Sequence, residues 1–287
     1  MTTVTTTTPN STLIVPAPVG RAARNATLTL AARRLALTVR SPRALFVPLL
    51  TPVLFALVIA PALGNTVGGP LGHKTYMTFV ALATAGLLIP LNCMFSGIGV
   101  IVDRQQGAMR ELLVAPIRRS SIVMGNLVAA LAVTALQLAV LIGAAEARGA
   151  RFTGGSRVVW FVVTALIFSV LMYAMAEILA VRQPTPEAYI AALPAIAIVP
   201  YFFAGSLFPI TSLPHWLEAA AKVLPLTHAL ALFRYGLTGH SGVQALHNIW
   251  GLHSATAMAF LSLGVVVLYS LVAFRAALRL FTKAGTS

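Results

Sequence analysis

Long apolar runs, broken by short polar and basic stretches, set the pattern of this chain. A helix needs about 20 residues to cross about 30 Å of hydrocarbon. Six runs meet that length, at 45–64, 76–101, 121–145, 158–181, 188–207 and 254–274. None alternates in polarity with a period of two, so helices rather than barrel strands are predicted. The expected fold class is an all-α integral membrane domain with six transmembrane helices over residues 21–287. A disordered Thr- and Pro-rich tail is expected at 1–20.

Three segments between the runs carry patterns of their own. In 21–41, Leu28, Ala32, Leu35 and Val39 fall near one helical face, while Arg24, Arg33, Arg34 and Arg40 lie largely elsewhere. Such a segment suits a helix lying in the headgroup plane, ended by Ser41-Pro42. An ordinary basic flank of the first span is the plainer alternative. After the second run, Met109, Leu112 and Leu113 form an apolar stripe at i, i+3, i+4, and Pro116 forces an end. This is a short amphipathic helix able to dock in a partner's groove while its charges set the register. Between runs five and six, residues 208–240 contain Pro209, Trp216, Pro225, His228 and Arg234. Neither half of this segment is apolar enough to span alone. A re-entrant pair of short helices dipping into the outer leaflet is predicted, with Trp216 as an interface anchor.

Composition strengthens the membrane reading. Of 287 residues, 58% are hydrophobic and 9% charged, against about 25% charged in soluble domains. The net charge of +14 comes from residues flanking the apolar runs, with no basic stripe interleaved with aromatics, so nucleic acid is not the expected partner. With both ends inside, fourteen Lys and Arg fall on the cytoplasmic side and six outside. The positive-inside rule therefore favours cytoplasmic termini in a bacterial inner membrane, although Arg148, Arg151 and Arg157 cluster on the other side. The one cysteine, Cys93, lies inside an apolar run and reads as a packing residue.

Several chemistries are missing from the sequence. No Walker A motif occurs, and no Asp, Glu or His cluster has metal-ligand spacing. No catalytic, cofactor-binding or metal site is therefore assigned. His228 reads as a locally bonded side chain rather than a ligand. Glu177, at the end of run four, is an intramembrane carboxylate and so a candidate for the substrate path, or for proton coupling in a secondary transporter. The alternative is that it faces the bundle near the interface and pairs with Arg182 or another basic residue. Asn92 and Gln137 are the other polar side chains at depth; helix–helix hydrogen bonds explain them equally well.

Residues 102–116, read in order, carry a specific resemblance. Arg104, Gly107, Glu111, Leu112, Leu113 and Pro116 match the cytoplasmic signature of the ABC-2 type permease family; Met109 and Arg110 fall within it. An acidic residue usual in that family is replaced here by Gln105 or Gln106. Arg40-Ser41-Pro42 with Pro52, and Phe208-Pro209, Leu213-Pro214, Trp216-Leu217 and Leu224-Pro225-Leu226-Thr227-His228 followed by Arg234, resemble further family segments. The resemblance covers about residues 25–280 and is nearest in flavour to daunorubicin-type drug-resistance permeases and nodulation-type exporters. It implies two permeases, the second another copy or a homologue, and two separate ATPase subunits that bind ATP and Mg. It also implies that the 104–116 helix couples ATPase to permease, and that a hydrophobic drug, antibiotic or lipid-like cargo moves outward. A lipid-linked glycan is the alternative cargo. Against it, aromatics are 8%, and Trp160, Trp216 and Trp250 sit near predicted outer interfaces rather than in a ladder.

Overall fold

A computed structural model describes residues 19–40, 73–107, 119–147, 149–153 and 155–284, with isolated positions between 46 and 54. Among these residues all regular structure is helical. The helices are α1 (Val19–Arg40), α2 (His73–Gln105), α3 (Arg119–Ala147), α4 (Val158–Arg182), α5 (Pro186–Leu193), α6 (Val199–Phe203), α7 (His215–Val223), α8 (Pro225–Leu237), α9 (His240–Trp250) and α10 (Ala255–Ala284). Five helical stretches among the described residues are long and apolar enough to cross a membrane: Thr78–Gln105, Ser120–Ala147, Gly155–Arg182, Pro186–Phe203 and Ala255–Phe281. They correspond to the second through sixth predicted runs. The first run, 45–64, lies almost entirely outside the described residues, as does the tail before Val19.

The fifth span is not one continuous α-helix. Thr185 caps its start, its hydroxyl accepting from the Ala188 N–H at 3.3 Å, and Pro186 occupies the first turn, where no N–H is needed. Pro194 has no N–H to continue the ladder, and Pro194–Ile198 widen into a π turn closed by the Val199 N–H on the Pro194 carbonyl. The α-helix resumes at α6 and stops at Phe203.

α4 is the hub. It packs against α2, α8 and α10, and α3 completes the bundle. The core fills with side chains from all these helices, including Leu88, Phe168, Tyr173, Tyr189, Leu230 and Phe233. Close approach is built in at Gly236 of α8: a Cβ there would sit 2.7 Å from the backbone nitrogen of Phe161 in α4.

α1 packs on α3, where Gly125 lets the Thr27–Ala31 stretch come so close that an added Cβ would meet the Leu30 side chain at 2.7 Å. Leu28, Ala32 and Val39 stay exposed on the protein, as do Arg33 and Arg40. Pro42 lies outside the described residues. In the 208–240 segment, α8 is buried from Leu226 to Leu237 and belongs to the core, while Trp216 of α7 is exposed. A third helix, α9, was not anticipated. It packs on α8 and α10 through Leu246 and Ile249 and so covers a face of α8.

Candidate functional site

The root of the 102–116 loop is held from two sides. α2 ends at Gln105, and Gly107 follows with φ of +79°, a left-handed turn that suits glycine. The Gln106 N–H closes on Val102 O at 2.9 Å and the Gly107 N–H on Arg104 O at 3.3 Å. Asp103 accepts an ion-paired hydrogen bond from Arg34 Nη1 at 2.8 Å, tying α2 to α1. The Arg34 guanidinium also lies against Gly99, where a Cβ would collide with it. Arg104, exposed, donates from Nη2 to the Gln183 carbonyl at 2.6 Å, tying the same turn to the end of α4. Met109, Arg110, Glu111, Leu112, Leu113 and Pro116 lie outside the described residues.

Sequence reasoning missed Asp103 as Arg34's partner. The signal was present: Asp103 is the one acidic residue in the stretch that adjoins the motif from the helix side, and α1 is rich in arginine.

The polar residues at depth are fastened inside the bundle. Asn92, 6% exposed, donates to Thr134 Oγ1 of α3 at 2.5 Å. Its neighbour Cys93 donates to the Ser169 carbonyl of α4 at 3.5 Å. Gln137 of α3 is also buried. Glu177, 1% exposed, is hydrogen-bonded by the Tyr173 hydroxyl, which also lies 3.1 Å from the Val123 carbonyl of α3. Among the described residues Glu177 makes no ion pair, so the expected contact with Arg182 is replaced by Tyr173 one turn back on the same helix. Tyr189 of α5 donates to the Met94 carbonyl at 2.6 Å and packs onto Gly97. These contacts knit α2, α3, α4 and α5, and none of Asn92, Gln137 or Glu177 opens onto the surface of the chain.

At the end of the bundle opposite the loop, Trp216 is exposed, and Pro209 and Pro225 precede the 3₁₀ turn Ile210–Ser212 and open α8 respectively. Lys222 bonds Glu218 one turn earlier on α7 at 2.8 Å and holds that carboxyl below its usual range. His228 sits 2.9 Å from the Lys222 carbonyl through Nε2 and 3.2 Å from Ser262 Oγ through Nδ1. A carbonyl can only accept, so Nε2 carries the proton and Nδ1 accepts from Ser262. Ser262 Oγ in turn accepts from Trp250 Nε1 at 2.8 Å. The chain Trp250, Ser262, His228, Lys222 joins α9, α10, α8 and α7 with every donor matched to an acceptor. Arg234, 7% exposed, donates from Nη2 to the carbonyls of Gly205 and Ser206 at 2.8 and 3.3 Å and lies 3.9 Å over the Phe79 ring.

The family model described as "ABC-2 type transporter" matches residues 25–238. A probable doxorubicin resistance ABC transporter permease protein DrrC of Mycobacterium tuberculosis is 27% identical over 187 residues, covering 64% of this chain and 66% of that protein, just under two thirds of its length. Nodulation protein J of Rhizobium leguminosarum bv. trifolii is 23% identical over 203 residues, covering 70% of this chain and 76% of that protein. With helices fit to span a membrane and a family match across most of its length, the chain belongs to the ABC-2 type transporter family.

Proposed function

We propose that this chain is the membrane-spanning permease subunit of an ATP-binding-cassette exporter. It works with two copies of a separate ATPase subunit, which bind ATP and Mg, and with a second permease, another copy of this chain or a homologue. It lies in the bacterial cytoplasmic membrane with six spans and both termini inside. The cargo is a hydrophobic drug, antibiotic or lipid-like molecule; a relative named for doxorubicin resistance supports that class. The observation that carries the reading is the family match, which runs from 25 to 238 and so includes the loop at 104–116.

The mechanism follows from the root of that loop. Closure of the ATPases on ATP pushes the 104–116 segment. The push enters α2 through Gly107 and Arg104. Arg104 bonded to Gln183 delivers it to the end of α4, and Asp103 paired with Arg34 delivers it to α1. Because α4 packs on α2, α8 and α10, a shift of its end moves the bundle as a body.

The test is a pulldown of the tagged chain in mild detergent with an ATPase assay on the co-purifying fraction. A co-purifying ATPase, lost on Leu112→Asp or Glu111→Lys while the chain stays folded, is the expected result. An ATPase-free chain under conditions that keep other such transporters intact refutes it.

A further inference from the structure

A cavity of about 670 Å³ opens at the end of the bundle away from the 104–107 turn. Its walls are the start of α2, the 204–210 turn, α8 and α9. That size is typical of sites for drug-sized ligands and far exceeds a bare inorganic anion. Much of the wall is apolar, including Ile210, Ala231 and Ile249, with Gln244 and Asn248 among its polar groups.

Among the described residues two cations line this space, Arg234 and Arg151, and no Asp or Glu does. Arg151 is exposed. Arg234 is different: it is more than nine-tenths buried, and its Nε has no hydrogen-bond partner. Its other contacts are two neutral carbonyls and a ring face. Arginine stays protonated in proteins, so a full charge sits here without a carboxylate among the described residues to oppose it. Gly205 takes φ of +77°, which a side chain would strain, and its carbonyl holds Arg234 at the cavity wall.

We propose that this cavity binds an amphiphile with a phosphate-class anionic head, the head pairing with Arg234 and Arg151 and the apolar body lying against Ile210, Ala231 and Ile249. A planar guanidinium matches a phosphate or carboxylate oxygen pair, and the Arg234 side chain is part of the cavity lining. The inference stands on the cavity and its charge, not on transport, and the ligand is either a membrane lipid or a cargo of the same chemistry.

The full-length chain in dodecylmaltoside, without ATPase or nucleotide, is titrated calorimetrically with dihexanoyl phosphatidic acid, dihexanoyl phosphatidylcholine and inorganic phosphate. The phosphatidate binds saturably, and the phosphatidylcholine binds at least about tenfold more weakly. Arg234→Gln weakens phosphatidate by about tenfold or more. Ala245→Trp, which fills the cavity and leaves the guanidinium in place, removes binding even if Arg234→Gln fails to fold. Equal affinity for both lipids, or phosphatidate binding that Ala245→Trp leaves intact, overturns the proposal. Inorganic phosphate binding as tightly as phosphatidate overturns the amphiphile and leaves a free-anion site. Weak phosphate with tight phosphatidate supports it, and a lipid source is then distinguished from cargo by whether phosphatidate co-purifies with the wild-type chain but not with Ala245→Trp.

Discussion

Arg34 of α1 and Asp103 of α2, 69 positions apart, meet at 2.8 Å beside the turn that leads into the 104–116 loop. Both side chains are largely covered, at 15% and 13% exposure, so water screens the pair less than it would a surface contact. The pair ties α1 to the turn at the root of that loop.

A double-mutant cycle tests this. Arg34→Gln and Asp103→Asn each cost about 1–3 kcal/mol of stability, because each leaves a covered charge without its partner. The double variant costs less than the sum. Melting in detergent supplies the energies, and the ratio of ATP hydrolysed to cargo moved in the assembled complex supplies the coupling. Strict additivity with unchanged coupling removes the pair from the mechanism.

Gly236 and Gly143 make a contrasting pair. A Cβ at Gly236 would press on the Phe161 backbone at 2.7 Å, whereas nothing lies within 4 Å of one at Gly143 in α3. Gly236→Ala therefore forces α8 away from α4 and destabilises by about 1–3 kcal/mol. Gly143→Ala replaces a flexible residue in a helix interior and stabilises by about 0.5–1 kcal/mol. Thermal melts of the two variants move in opposite directions; a shared direction contradicts the packing of α8 on α4.

The spans were legible because lipid demands long apolar runs and little else reproduces that pattern; 158–181 was predicted and Val158–Arg182 found. Hydropathy says nothing about which face of a helix meets protein, so the seat of α1 on the bundle was not legible. Its covered side, with Thr27, Ala31, Arg34 and Thr38, carries small residues and one part-buried ion pair to α2. The burial of α8 was not legible for a related reason. In the sequence His228 reads as locally bonded and Arg234 as lying outside the membrane, and only the fold supplies the carbonyls of Lys222, Gly205 and Ser206 that allow both to be buried. The π turn at Pro194 was signalled by its proline, but which local geometry a proline imposes depends on the neighbouring helices.

His228 is predicted to be structural. His228→Ala leaves Ser262 and Trp250 without the end of their chain and costs about 1–3 kcal/mol. His228→Asn loses less if its amide reaches either the Lys222 carbonyl or Ser262. Melting curves distinguish the two, and added Zn²⁺ or a chelator changes neither. A chelator-sensitive melt in the wild-type chain would reassign His228 as a ligand.

Glu177 separates an ATP-driven permease from a proton-coupled one. Its hydrogen bond from Tyr173 needs an acceptor oxygen at Oε1, which an amide supplies as well as a carboxyl group does. Glu177→Gln therefore keeps the strut between α4 and α3 and leaves ATP-driven export unchanged, measured in vesicles with the proton gradient collapsed. Tyr173→Phe removes the hydroxyl that bonds Glu177 and lies 3.1 Å from the Val123 carbonyl, and lowers stability by about 1–3 kcal/mol. The two substitutions thus have opposite signatures if the pair is a strut: little change for the first, a clear loss of melting temperature for the second. Loss of export in a fully folded Glu177→Gln chain, with melting unaltered, would instead make the carboxyl group itself the working part and place proton movement at α4.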